Sequence, residues 1–204
     1  MAARPFRLGA VPGATPGKWI GIWRERMPRV PLELIPVAVS EQRRSLTAGE
    51  VDAALVRLPL DRDGLHLIPL YEEVPVVVMS TDSHLSVADE LTSDDLAGET
   101  VYIPSDDVLG IAIPDVVVAS SSGSLDTAEA IATAASGAGI VIVPMSLARL
   151  HHRRDATFRP LTDGPRSSVG LAWPVDDVDD DETGAHIQTF IGIVRGRSAR
   201  SSRS

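Results

Sequence analysis

The stretch Gly49-Glu50-Val51-Asp52-Ala53-Ala54-Leu55-Val56-Arg57-Leu58-Pro59 constrains the fold more than any other part of the chain. A helical segment over 41–48 ends at Gly49, where a left-handed C-cap is wanted. Residues 51–58 follow as an apolar run, of strand length and too short for a helix, and Pro59 stops it. A helix that feeds straight into a buried strand is the second half of a βαβ unit. In open α/β sheets the carboxyl tip of such a strand faces the crevice where ligands bind.

Upstream residues supply the first half. Residues 6–11 read as a short strand, broken by Pro12-Gly13. Thr15 before Pro16 predicts a helix start, a hydroxyl cap followed by proline at the first helical position. Trp19, Trp23 and Met27 recur at i, i+4 and i+8, with Ile20 beside them, and so share one helical face. Residues 30–37 form the second strand, and Ser40 is placed to cap the helix 41–48. The order β-α-β-α-β opens a parallel sheet with right-handed crossovers.

A second α/β unit covers about 100–144. It has strands at 100–103 and 115–119, a serine-rich turn over 120–124, and a helix over 125–136 with Asp126 and Glu129 at capping-box spacing. The strand 140–143 is cut off by Pro144. Strands at 65–70 and 74–79 join the two units. A last strand at 169–173 precedes a helix with Ile187, Phe190, Ile191 and Val194 at i, i+3, i+4 and i+7. Docked on the first unit, these two elements make the chain cross twice between lobes, with the ligand cleft between them. The expected division is lobe I at 1–80 and 167–195, lobe II at 81–166, and a disordered tail at 196–204.

Composition narrows the function classes. The 44% apolar share is that of a globular protein. The absence of cysteine excludes disulfides and thiolate metal sites. No apolar run approaches the roughly 20 residues of a membrane span, and the first residues lack the apolar core of a secretory signal. A net charge of −9 disfavours nucleic-acid binding, which needs a basic surface. A soluble, cytoplasmic protein with no membrane partner is expected. No Gly-x-Ser-x-Gly elbow, phosphate loop or metal spacing proposes a reaction, so no enzyme, cofactor or metal is expected.

Thr15, Ser40 and Ser124 stand at predicted helix N-termini, where exposed N–H groups favour anions but plain capping is the commoner role. Arg57 interrupts an apolar strand just before Leu58-Pro59; it is either paired inside the protein or aimed at a ligand carboxylate. Adjacent His151-His152 lack the i, i+4 spacing of a helical zinc pair and read as a solvated helix end beside Arg153 and Arg154. The acid run 176–182 lacks the glycine and terminal glutamate of a calcium loop.

The helix–Gly–Glu–Val–Asp–strand block belongs to an ordered series. With it come Ile68-Pro69-Leu70-Tyr71-Glu72-Glu73-Val74-Pro75, then Asp82-Ser83-His84-Leu85, Asp95-Leu96-Ala97-Gly98 and the block 134–144. The series resembles the effector-binding domain of LysR-type transcriptional regulators from Phe6 to Arg195. That resemblance implies an α/β, two-lobed, periplasmic-binding-protein type 2 fold that takes a small-molecule effector between its lobes. It implies a cleft-facing set of Thr15, Ser40, Arg57, Pro59, Ser124, Thr127 and Pro144. Family members carry a helix-turn-helix ahead of this domain; Met1 lies too close to the first strand for one, so no sequence-specific DNA binding is expected. The family also places a helix between the first two strands of the second lobe, where 105–114 leaves little room, so that lobe is expected to be reduced.

Ile22 lies off the Trp19/Trp23 stripe, so the helix 16–27 shows apolar surface on a second side. With the strand carrying Leu34 as a free edge, and with the side-by-side pairing of the resembled family, a homodimer through Trp19, Ile22, Trp23 and Leu34 is expected. The reading is a non-enzymatic sensor domain for a small, possibly anionic effector. The rivals are a solute-binding protein and a deaminase- or dehydratase-like enzyme on the same scaffold.

Overall fold

The computed structural model describes residues 4–175 and 181–196. Its described residues fall into two compact units, one running to Leu70 and resuming at Val169, the other spanning Tyr71–Ser168.

In the first unit β1 (Phe6–Ala10) leads to α1 (Gly17–Arg26), β2 (Leu32–Pro36), α2 (Gln42–Thr47) and β3 (Ala53–Arg57). The sheet is completed by β4 (Leu65–Glu73) and β10 (Ser167–Pro174) in the order β2-β1-β3-β10-β4, with β1 parallel to both β2 and β3. The helix α2 ends at Gly49, which takes φ +66°. Glu50 N–H reaches Ser45 O at 3.0 Å and Gly49 N–H reaches Leu46 O at 3.1 Å, the bond pair of a Schellman cap.

The long strand β4 (Leu65–Glu73) starts in the first unit and ends in the second. The division therefore falls at Leu70/Tyr71, earlier than the expected boundary at 80. The reason is pairing: β5 (Pro75–Ser80) is a central strand of the second sheet and cannot act as a connector.

The second unit continues with β6 (Thr100–Tyr102), β7 (Val117–Val118), α3 (Thr127–Ala135), β8 (Ile140–Pro144), α4 (Met145–Leu150) and β9 (Ala156–Pro160). Its sheet order is β7-β6-β8-β5-β9. Thus β6 is parallel to β7 and β8, while β5 is antiparallel to β8 and β9. At the entry to β8, Gly139 takes φ +158°, and a Cβ there would sit 2.3 Å from Thr100 O, so only glycine fits. The connection 103–116 between β6 and β7 contains no helix, unlike most parallel crossovers.

The chain returns to the first unit within β10 (Ser167–Pro174), antiparallel to β3, and α5 (Asp181–Val194) packs there. Ile187, Phe190 and Ile191 of α5 join Phe6, Leu8, Trp23 and Leu171 in one core. The acid residues 176–180 and the tail 197–204 lie outside the described residues.

Trp23 is the centre of that core. It is 0% exposed, its ring stacks on Phe6 with centroids 4.7 Å apart, and its Nε1–H donates to Val30 O at 3.0 Å. The expectation that Trp23 forms part of a dimer surface is therefore corrected: the stripe it heads faces β1 and α5. Trp19 and Ile22 are half-buried, and Leu34 is 48% exposed on the outermost strand of its sheet.

Candidate functional site

The first sheet has its topological switch point between β1 and β3, since β2 and β3 lie on opposite sides of β1. Three loops leave this carboxyl edge: 11–16 after β1, 37–41 after β2 and 58–64 after β3. Thr15, Ser40 and Pro59 all stand exposed on them. The structure thus brings these three predicted residues to one edge of one unit.

Their roles differ from simple capping. Pro16 is the N-cap of α1 and no side chain caps it, so Thr15 is not the cap. Ahead of α2 a 3-10 turn, Val39–Glu41, has Ala38 as its N-cap, and Ser40 lies inside the turn, making no cap bond. The proline ring and the extra tight turn each move the helix start past the hydroxyl.

Beneath these loops Arg57 is buried, 2% exposed. Its Nη2 donates to Pro12 O at 3.2 Å, tying the tip of β3 to the loop after β1. Gln42, itself 5% exposed, clamps the Arg57 backbone: Oε1 accepts from Arg57 N at 2.9 Å and Nε2 donates to Arg57 O at 3.0 Å. The contact with Pro12 O is internal to the first unit. The Arg57 guanidinium holds the loop and the exposed rim lies above it. Gln42 was missed by sequence reasoning, although it shares a helical face with buried Leu46 four residues on, and a polar residue on an apolar face is a signal. Gln42→Ala removes both backbone bonds inside the core and should cost about 2–4 kcal/mol in urea unfolding. Gln42→Glu keeps the acceptor for Arg57 N but sets a carboxylate oxygen against Arg57 O, and should recover none of that at neutral pH.

The second unit presents the same edge differently. The carboxyl ends of β6 and β8 adjoin, with Tyr102 in register with Val141, and α3 starts nearby. Asp126 caps α3 by accepting from Glu129 N at 2.8 Å, and Glu129 Oε2 accepts from Asp126 N at 2.9 Å. Thr127 is buried, and both its N–H and its hydroxyl donate to Asp106 Oδ1 at 2.8 Å. This helix start is already occupied by three carboxylates of the chain itself, those of Asp106, Asp126 and Glu129. Of the residues expected to contact a ligand here, Thr127 is buried and engaged by Asp106, and the exposed Ser124 donates its hydroxyl to Ser121 O at 2.5 Å. Pro144 is buried as the last residue of β8. Asp106 carried no sequence signal, because it meets Thr127 across 21 positions.

At the end of α4, His151 is the C-cap residue, and Arg153 forks onto Asp155 at 2.9 and 2.8 Å instead of facing the helix end. That hydrogen bonding holds the Asp155 carboxyl below its usual range. Among the described residues no group of three or more His, Cys, Asp or Glu is placed to hold a metal ion, and no helix is long and apolar enough to cross a membrane.

Comparison with known proteins decides the family. The model of the LysR substrate binding domain matches residues 2–198. The chain belongs to the LysR substrate-binding domain family. It is 25% identical over 210 residues to the Hca operon transcriptional activator HcaR of Escherichia coli, covering 96% of this chain and 69% of that protein. It is 28% identical over 81 residues to the HTH-type transcriptional regulator MetR of Salmonella typhimurium, which covers 40% of this chain and 26% of that one. Among solved structures, the oxidised form of OxyR superposes with a TM-score of 0.74 at 18% identity, covering 97% of this chain and 96% of that one. The BenM effector binding domain, solved with its effector benzoate, superposes with a TM-score of 0.73 at 19% identity, covering 100% and 96%. The chain is a LysR-type effector-binding regulatory domain with the two-lobed α/β fold of the type 2 periplasmic binding proteins. Its curated relatives are transcriptional regulators.

Proposed function

We propose that this LysR-type domain is a cytoplasmic, non-enzymatic sensor that binds a small carboxylate- or phosphate-bearing effector at the carboxyl edge of its first sheet. The family match over 2–198 carries the reading. The exposed rim of Thr15, Ser40 and Pro59 supports the location, and Arg57 and Gln42 position the rim from below. Two exposed hydroxyls at a switch point suit an anion better than an apolar solute. The relative BenM, solved with benzoate, makes a carboxylate the first class to try. The acidic chain, at −9, gives duplex phosphates little to bind, so DNA recognition is assigned to other parts of a regulator. The test is a thermal-shift screen with small carboxylates and phosphates. A compound at about 100 times its dissociation constant adds roughly 2.7 kcal/mol; a panel without a single stabiliser would count against the proposal.

The domain is further proposed to form a homodimer through α1 and β2. Leu34 stands 48% exposed on the edge strand, and Trp19 and Ile22, which pack against the core, are only half-buried, so together they leave apolar surface that a two-fold contact buries. Sedimentation at micromolar concentration should show a dimer; Leu34→Glu, at an exposed edge position, should split it, and Ile22→Glu should split it at some cost in monomer stability because Ile22 also packs on the core. A monomeric wild type would reject the interface.

A further inference from the structure

The crossover between β6 and β7 leaves a cavity that the proposed effector rim does not use. Parallel neighbours are normally joined by a helix that covers one face of the sheet. Here 103–116 crosses as an irregular loop, and only Ile111, Ile113 and Val116, with Leu109, fold onto that face, against Val101, Ile140 and Ile142. Four side chains in place of a helix do not fill the space. A partly open cavity of about 190 Å³ lies between the loop and the sheet, with Ile103, Ile111, Ile113, Val118 and Ile142 among its walls.

Its size and chemistry select an occupant. An apolar cavity of about 150 Å³ stays dry and takes up benzene, so this one holds a single six-membered ring with one or two substituents. Asp107 is the one charged residue among the walls. Its two oxygens already accept from Leu109 N at 3.0 Å and Gly110 N at 2.9 Å, which fixes a carboxylate beside the cavity. A carboxylate repels an anionic guest and accepts from a hydroxyl or amine donor. Tyr102 adds the other polar wall.

We propose that the second unit carries a binding site for a small, uncharged, single-ring compound with a hydrogen-bond donor, of the phenol class, in the cavity beneath the 103–116 loop. The site is independent of the anion-binding rim on the first unit.

Phenol, toluene and benzoate are the probes, read by thermal shift and by ligand-detected NMR on the whole chain. Phenol should raise the melting temperature in a saturable way, by about 3–6 °C at ten times its dissociation constant. Toluene should bind more weakly, and benzoate should give no signal that Ala112→Phe removes. Ala112 lines the cavity from an exposed position, so a phenyl group there fills the space with little strain on the core. Ala112→Phe should abolish the phenol response. Should that variant not fold, Val118→Phe, from an exposed wall on the edge strand, carries the same expectation. Asp107→Asn should narrow the preference for phenol over benzoate. A silent phenol titration, a phenol response that survives filling of the cavity, or equal binding of benzoate at this site would each overturn the proposal. Loss of phenol binding in Thr15→Val or Ser40→Ala would do the same, by moving phenol to the first unit.

Discussion

Trp23→Ala is expected to lower the stability of the domain by about 3–5 kcal/mol. At a chain of this size that is a fall in melting temperature of roughly 6–20 °C. The indole is fully buried, stacked on Phe6 and tilted against Phe190 with centroids 6.0 Å apart. It joins α1 and α5 to the sheet in one contact set, and alanine would leave a cavity where three elements meet. The Val30 carbonyl would also lose the indole donor at 3.0 Å. Differential scanning calorimetry decides. A Trp23→Ala protein that melts within a degree or two of the wild type, yet sediments differently, would return Trp23 to the surface role that its helical stripe first proposed.

Asp52→Ala carries the second large effect. The carboxylate is 4% exposed at the start of β3. It accepts from Arg7 N at 2.7 Å, Arg7 Nη2 at 2.6 Å and Arg4 Nη2 at 2.9 Å, while Arg4 Nη1 reaches Thr183 of α5 at 3.2 Å. One acid thus holds the chain before β1, β1 itself and the helix that closes the unit. Removing the buried carboxylate leaves the Arg7 N–H and a partly covered Arg7 guanidinium without their acceptor, while the half-exposed Arg4 returns to water, a loss of about 1.5–3 kcal/mol. Asp52→Asn keeps the shape and one acceptor and should recover part of it. Equilibrium urea unfolding separates the two variants; equal stability in alanine, asparagine and wild type would make the cluster a solvent-screened surface network.

Local chemistry was legible in the sequence and long-range chemistry was not. Gly49 announced its cap because the Schellman bonds need only neighbours and a residue that accepts positive φ. The box of Asp126 and Glu129 spans three positions and reads directly. The stripe on α5 gave both its helix and its buried face. The Trp19/Trp23 stripe also gave its helix, but not which surface covers it, since Phe6 and Phe190 meet Trp23 from opposite ends of the chain. Hydroxyls at Thr15, Ser40 and Ser124 looked alike in sequence. All three are exposed; the first two stand on loops that the fold brings to one sheet edge, whereas the third is held locally by its bond to Ser121, three residues back. Gln42 and Asp106 hold the two sheet edges through partners 15 and 21 positions away, and no local pattern announces such a pair. The missing crossover helix was visible as a shortage of residues, whereas the cavity it leaves follows from how Ile111 and Ile113 fold back.

The most direct test of the sensor assignment is titration calorimetry of the wild type and of Thr15→Val/Ser40→Ala with the best stabiliser from the carboxylate and phosphate panel. Both hydroxyls are exposed and neither caps a helix, so the double variant should fold with stability within about 0.5 kcal/mol of the wild type. Loss of two hydrogen bonds to a charged guest should weaken binding by about 3–6 kcal/mol, enough to erase a micromolar signal. Binding of unchanged affinity in the folded double variant would contradict the assignment of the effector to this rim.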